Sequence, residues 1–97
     1  AAGTPVLSPT VMRRLMTRVA ETSPREAEAR SKLAKLGDRE REVAVEVGRG
    51  RSNAEIAATL HLSVPTVKTH VSSILTKLDL NNRVQIALLT HDAGLLE

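Results

Sequence analysis

Two helix starts eleven residues apart constrain this chain most. Ser52-Asn53-Ala54-Glu55 fits a capping box, in which the Ser hydroxyl and the Glu carboxylate satisfy amide donors reciprocally. Ser63 then caps again, with Pro65 in the following first turn, where a missing N–H costs little. Between them lies room for a short helix only, about Asn53 to His61, anchored by Ile56, Ala57 and Leu60. Leu62-Ser63 makes a tight connection, and the second helix runs to about Leu78. A short helix, a turn of about three residues and a longer helix form the pattern of a helix-turn-helix.

The flanking sequence extends this all-helical reading. Gly37-Asp38 offers a stop and an N-cap for a helix over Arg39 to Val47, ended by Gly48 and Gly50. Asp79 to Asn81 make a turn, and Asn82 to Ala93 form a helix ended by Gly94. No segment alternates with strand period, so the expected fold is all-α: four helices from residue 37 onward, preceded by an amphipathic linker helix. In that linker, Ser8-Pro9 reads as a helix start, and Met12, Leu15, Met16 and Val19 share one face. Ser23 caps a second stretch, from Pro24 to about Leu36, with few apolar anchors in Ala27, Leu33 and Leu36. The expected division is a linker over 1–36 and a domain over 37–97.

Composition removes several function classes. The 97 residues include no Phe, Tyr or Trp, which argues against modules that stack single-stranded bases on aromatic rings. The absence of cysteine removes a disulfide scaffold, a thiol nucleophile and a thiolate metal site. His61, His70 and His91 are not spaced as ligands on one helical face, and no Ser, His and Asp are arranged as a triad. The expectation is therefore no enzyme, no cofactor and no metal. No apolar run approaches the length of a membrane span and no signal peptide is visible, so no membrane partner and a cytoplasmic location are expected. The net charge of +3 is uneven: residues 1–37 hold seven basic and three acidic residues, residues 38–97 seven and eight. A nucleic-acid reading must rest on where a few cations sit rather than on bulk charge.

The faces of the 64–78 helix locate them. At about 100° per residue, Val71, Ile74 and Leu78 fall close to Val67, with Val64 and Leu75 at the shoulders. Pro65, Thr69, Ser72 and Thr76 point the opposite way, flanked by Thr66, Lys68 and Ser73. This outer face is small and hydroxylic, carries one cation and meets no acid before Asp79. Small side chains allow a helix to sit deep in a major groove, where methyls touch thymine and hydroxyls bond base edges. Against this stands a plain helical domain with a Thr/Ser-rich solvated face. Arg49 and Arg51 flank the turn before the short helix and suit either phosphate contact or a solvated loop. Lys77 reads equally as a backbone contact or a surface lysine.

The same residues carry a resemblance. Asp38-Arg39-Glu40-Arg41-Glu42-Val43, Gly50 to Ala57, Leu62 to His70, Ile74 to Leu78 and Asn82-Arg83 are similar, with spacing kept, to the LuxR-type helix-turn-helix. That is the DNA-binding effector domain of NarL/FixJ-class bacterial response regulators. Leu7 to Leu15 resembles the segment after the receiver domain in such regulators. The resemblance implies double-stranded DNA as partner, a recognition helix over about 64–78, and contacts at Lys68, Thr69 and Ser72 with Thr66, His70 and Asn53 near phosphates. It also implies an internal Glu42–Arg83 ion pair, a receiver domain in the longer protein, and RNA polymerase as a further possible partner. Ser72 departs from relatives with a long basic residue there, and Ala44 and Glu46 stand where relatives often have Leu.

The helix over about 82–93 has too many apolar residues for one stripe: Val84, Ile86, Ala87, Leu88 and Leu89. Leu88 and Leu89 are expected at a homodimer contact, with Val84 and Ala87 in the core. The resemblance agrees, since this helix pairs effector domains on DNA. The competing expectation is that the linker helix covers this surface. Two rival functions remain: a sigma-factor region 4 type module docking on RNA polymerase, and a protein-interaction module without DNA binding.

Overall fold

A computed structural model describes residues 23–96. The expected helix over Met12, Leu15, Met16 and Val19 lies outside them. Five helices follow in order: α1 Pro24–Leu33, α2 Asp38–Gly48, α3 Asn53–Leu60, α4 Val64–Leu78 and α5 Arg83–Asp92. The described residues contain no strand. None of their helices is long and apolar enough to cross a membrane.

Local chemistry sets the boundaries. Ser52 and Glu55 form the reciprocal box, Glu55 N–H donating to Ser52 Oγ at 3.1 Å and Ser52 N–H to Glu55 Oε1 at 2.8 Å. These bonds lower the Glu55 pKa from its ordinary value, since they favour the carboxylate. Ser63 Oγ accepts from Thr66 N–H at 3.2 Å, and Asn82 Oδ1 from Gln85 N–H at 3.2 Å. His61 (φ 58°) ends α3 and Asp79 (φ 55°) ends α4, both left-handed. Residues 61–63 are thus the turn between α3 and α4. The start of α2 differs from expectation. Gly37, not Asp38, is the N-cap, because Glu40 Oε1 takes the Gly37 N–H at 3.0 Å and draws the helix start one residue earlier.

Packing then fixes the angle at which α4 is presented. Helix α2 is central: it packs on α5 and α4, while α3 packs on α4. Val43, Ala44 and Val47 of α2 meet Ile56 and Ala57 of α3, Val67, Ile74 and Leu78 of α4, and Ile86 of α5 in one core. Ala44 and Glu46 are both buried, and Glu46 pairs with two arginines.

Helix α1 stops at Leu33, three residues short of expectation, and Leu36 enters the core from the following turn. Of its expected anchors Leu33 is buried but Ala27 is exposed, and Ala29 is buried in its place, while polar ties hold both of its ends. Arg30 Nε donates to Ala93 O at 2.8 Å, and Arg25 pairs with Asp92 at 3.6 Å. In the same last turn as Arg30, Arg41 Nη2 reaches Leu33 O at 3.5 Å, whereas Arg25 ties the first turn.

Candidate nucleic-acid interface

Helix α4 divides as its periodicity demands. Val67 and Ile74 are fully buried and Leu78 nearly so, with Val64, Val71 and Leu75 half-buried against the core. Pro65, Thr66, Lys68, Thr69, Ser72 and Thr76 are exposed. No acid stands on this helix, and among the described residues no carboxylate pairs with Lys68. Two hydroxyls are partly committed: Thr69 Oγ1 donates to Pro65 O at 3.0 Å, and Thr66 Oγ1 accepts from Ser63 Oγ at 2.8 Å. With its proton on the helix backbone, Thr69 keeps a methyl group and acceptor lone pairs. His70 is half-buried, at the edge of the face.

Ser73 and Lys77, expected on the DNA side, both bond to Glu40. Ser73 Oγ donates to Glu40 Oε2, and Lys77 Nζ lies 2.7 Å from Glu40 Oε1. Glu40 is 8 % exposed. The hydrogen bond from Lys77, then that from Ser73, then the Gly37 N–H hold its carboxyl well below the usual range, at about 2, against the opposing effect of burial. The tie runs from the start of α2 to the second half of α4, so it fixes the pose of α4 on α2. In the sequence Glu40 stands only as part of the block Asp38 to Val43. Its i+3 and i+7 neighbours Val43 and Val47 were the signal that it lies on the buried stripe.

The expected Glu42–Arg83 pair does not form. Glu42 is exposed and takes Arg39 at 3.0 Å, one turn earlier on the same helix. Arg83 instead donates from Nη1 to Asn53 Oδ1 at 2.8 Å and from Nη2 to Arg51 O at 2.9 Å. Asn53 is therefore half-buried and already engaged by a cation at the start of α3. The arginines before α3 are neither free cations nor a plain solvated loop. Glu46 holds Arg49 at 2.7 Å and Arg51 at 3.4 Å.

On α5 the buried stripe is Ile86, Thr90 and Ala93. Thr90 belongs in it because its hydroxyl donates to Ala87 O at 2.9 Å and leaves no unsatisfied donor. That stripe turns Val84 and Leu88, four residues apart, outward together at 62 % and 57 % exposure. Val84 was expected in the core and is on the surface. Leu89 was expected at the dimer contact and is half-buried, lining a shallow recess with Ala29 and Lys32 of α1. Ala87 is half-buried, between the two faces.

Comparison with known proteins places these elements. Residues 34–90 match the family described as "Bacterial regulatory proteins, luxR family". The chain is 43% identical over 82 residues to "Uncharacterized transcriptional regulatory protein YhcZ" of Bacillus subtilis (strain 168), which covers 84% of this chain and 37% of that protein. It is 40% identical over 62 residues to "Response regulator protein VraR" of Staphylococcus aureus (strain Mu3 / ATCC 700698), covering 64% of this chain and 30% of that one. The chain spans about a third of the length of these relatives. It belongs to the luxR family of bacterial regulatory proteins, and α3, the turn and α4 are its helix-turn-helix DNA-binding unit.

Proposed function

We propose that this chain is the sequence-reading effector part of a cytoplasmic response regulator. Helix α4 lies in the major groove, with Lys68, Thr69 and Ser72 toward the bases or their flanking phosphates. Thr66, His70 and Asn53 lie toward the backbone. The observation that carries this reading is the outer face of α4: exposed, built of small hydroxylic side chains, free of acid, with one unpaired lysine among the described residues. Such a face approaches phosphate without repulsion and lies close against base edges. Residues 1–36 are the linker and 37–97 the reading domain, α1 being the end of the linker seated on α5. A receiver domain in the longer protein controls the regulator, and RNA polymerase is the machinery on which the bound regulator acts.

Lys68 supplies the central cation of the face. Lys68→Ala lowers duplex affinity roughly tenfold at moderate salt and reduces the slope of log affinity against log salt by about one. Circular dichroism of the variant stays unchanged. Equal affinity and slope for variant and parent remove Lys68 from the interface.

Two copies pair through Val84 and Leu88, the exposed apolar turn of α5. One recognition helix reads only a few base pairs, so pairing doubles the site, with half-sites about 10 bp apart. Leu88→Glu places a charge in that contact and abolishes cooperative occupation of paired half-sites. Affinity for a single half-site and thermal stability are retained, because Leu88 is outside the core. Cooperative binding that survives the charge shows that another surface pairs the copies.

A further inference from the structure

Arg83 stands at the first position of α5, where a cation opposes the helix dipole. Its value must lie elsewhere, and its hydrogen bonds say where. The guanidinium bridges two acceptors on a different element, the side-chain oxygen of Asn53 at 2.8 Å and the main-chain oxygen of Arg51 at 2.9 Å. Both acceptors lie at the segment that enters α3. A guanidinium has donors only, so the Asn53 atom facing it must be the carbonyl oxygen, and the amide has no choice of flip. The Nδ2 group is then turned away from Arg83, and among the described residues nothing accepts from it. Glu46 holds Arg51 from the other side at 3.4 Å, so the segment is fixed both through its side chain and through its carbonyl.

We propose that Arg83 is a positioning residue for DNA binding: it locks the Asn53 amide with its NH2 group toward the DNA phosphate and pins the Arg51 backbone that leads into α3. The inference rests on the reading of Asn53 as a backbone contact. A freely rotating asparagine spends part of its time with its carbonyl toward the phosphate, where two acceptors repel. Arg83 removes that state. A lysine in its place has a single ammonium, without the planar fork that meets two acceptors at fixed spacing.

The test is a cycle of Arg83→Ala, Asn53→Ala and the double variant. Affinity is measured on the duplex that the parent chain selects from a random library, across a salt series, with thermal unfolding alongside. Each single variant is expected to weaken binding about five- to tenfold, and the double variant to lose far less than the product of the two, because the Asn53 contact depends on Arg83. Arg83→Lys serves as the fold-retaining variant and is expected to lose several-fold with its melting temperature kept. In the parent, the Asn53 side-chain NH2 resonances are expected to shift on DNA addition; in Arg83→Lys that shift shrinks. Losses that multiply in the double variant overturn the proposal, as does full affinity in Arg83→Lys. If Asn53→Ala binds as the parent does, the backbone-contact reading fails and the proposal falls with it. If Asn53→Ala weakens binding and both Arg83 variants do not, the proposal alone fails.

Discussion

Gly48→Ala is expected to destabilise the domain by about 2–3 kcal/mol, the upper part of the range for forcing atoms into a packed site. For a domain of this size that is a fall in melting temperature of roughly 10–20 °C. In an ordinary helix interior the same change stabilises by roughly 0.5–1 kcal/mol, because glycine loses more backbone freedom on folding. Here the sign reverses. A Cβ on Gly48 overlaps Thr90 Oγ1 and meets the two methyl carbons of Leu96 at 3.1 and 3.2 Å. Thr90 is fully buried, and its hydroxyl is bound to Ala87 O, so turning it aside leaves a buried hydroxyl without its acceptor. Helix α2 and α5 must therefore separate. Thermal unfolding followed by circular dichroism reads the result. An unchanged or raised melting temperature contradicts the close approach of the two helices.

The second large effect is at Glu40. Its carboxyl is held at about 2 in the folded chain against an ordinary 4.5. A depressed carboxylate contributes stability that is fully present above about pH 4.5 and is lost as pH falls toward 2. The full linkage corresponds to roughly 3 kcal/mol, and the half-exposed Lys77 partner lowers that to about 2. Glu40→Gln is thus expected to be about 2 kcal/mol less stable at pH 7, read as a lower denaturant midpoint. The gap between variant and parent narrows steadily below pH 4.5 and closes only as pH falls through about 2, where protonation gives the folded parent a neutral side chain as well. A gap that stays constant across this range means that the carboxylate charge contributes nothing and that shape alone matters at this position.

Legibility in the sequence followed the range of the interactions. The turn between α3 and α4 was legible because Ser52, Glu55 and Ser63 act on amides three residues away, within the chain's own local geometry. The division of α4 into a buried stripe and an exposed hydroxylic face was legible because Val67, Ile74 and Leu78 occupy one stripe without exception. Charges were read less well. A glutamate on a helix reads as solvated, yet Glu40 and Glu46 lie on the buried side of α2 because partners from α4 and the following loop neutralise them. Glu42, the acid assigned an internal partner, is the exposed one. Helical spacing from Val43 and Val47 marks Glu40 as lying on the buried stripe, but the partner that neutralises each glutamate is set by which elements pack on α2. On α5 the misplacement of Val84 and Leu89 has a single source, Thr90. A threonine does not look like a core residue until its hydroxyl finds the Ala87 carbonyl, and without it the stripe is read some way around the helix.

The central claim is that the exposed face of α4 reads duplex sequence and that two copies read it together. Selection of bound sequences from a random duplex library, followed by a salt titration on the enriched site, tests it most directly. The account predicts enrichment of two related half-sites about 10 bp apart, with affinity that falls steeply as salt rises. Weak binding that salt abolishes, with no sequence enriched, would contradict it.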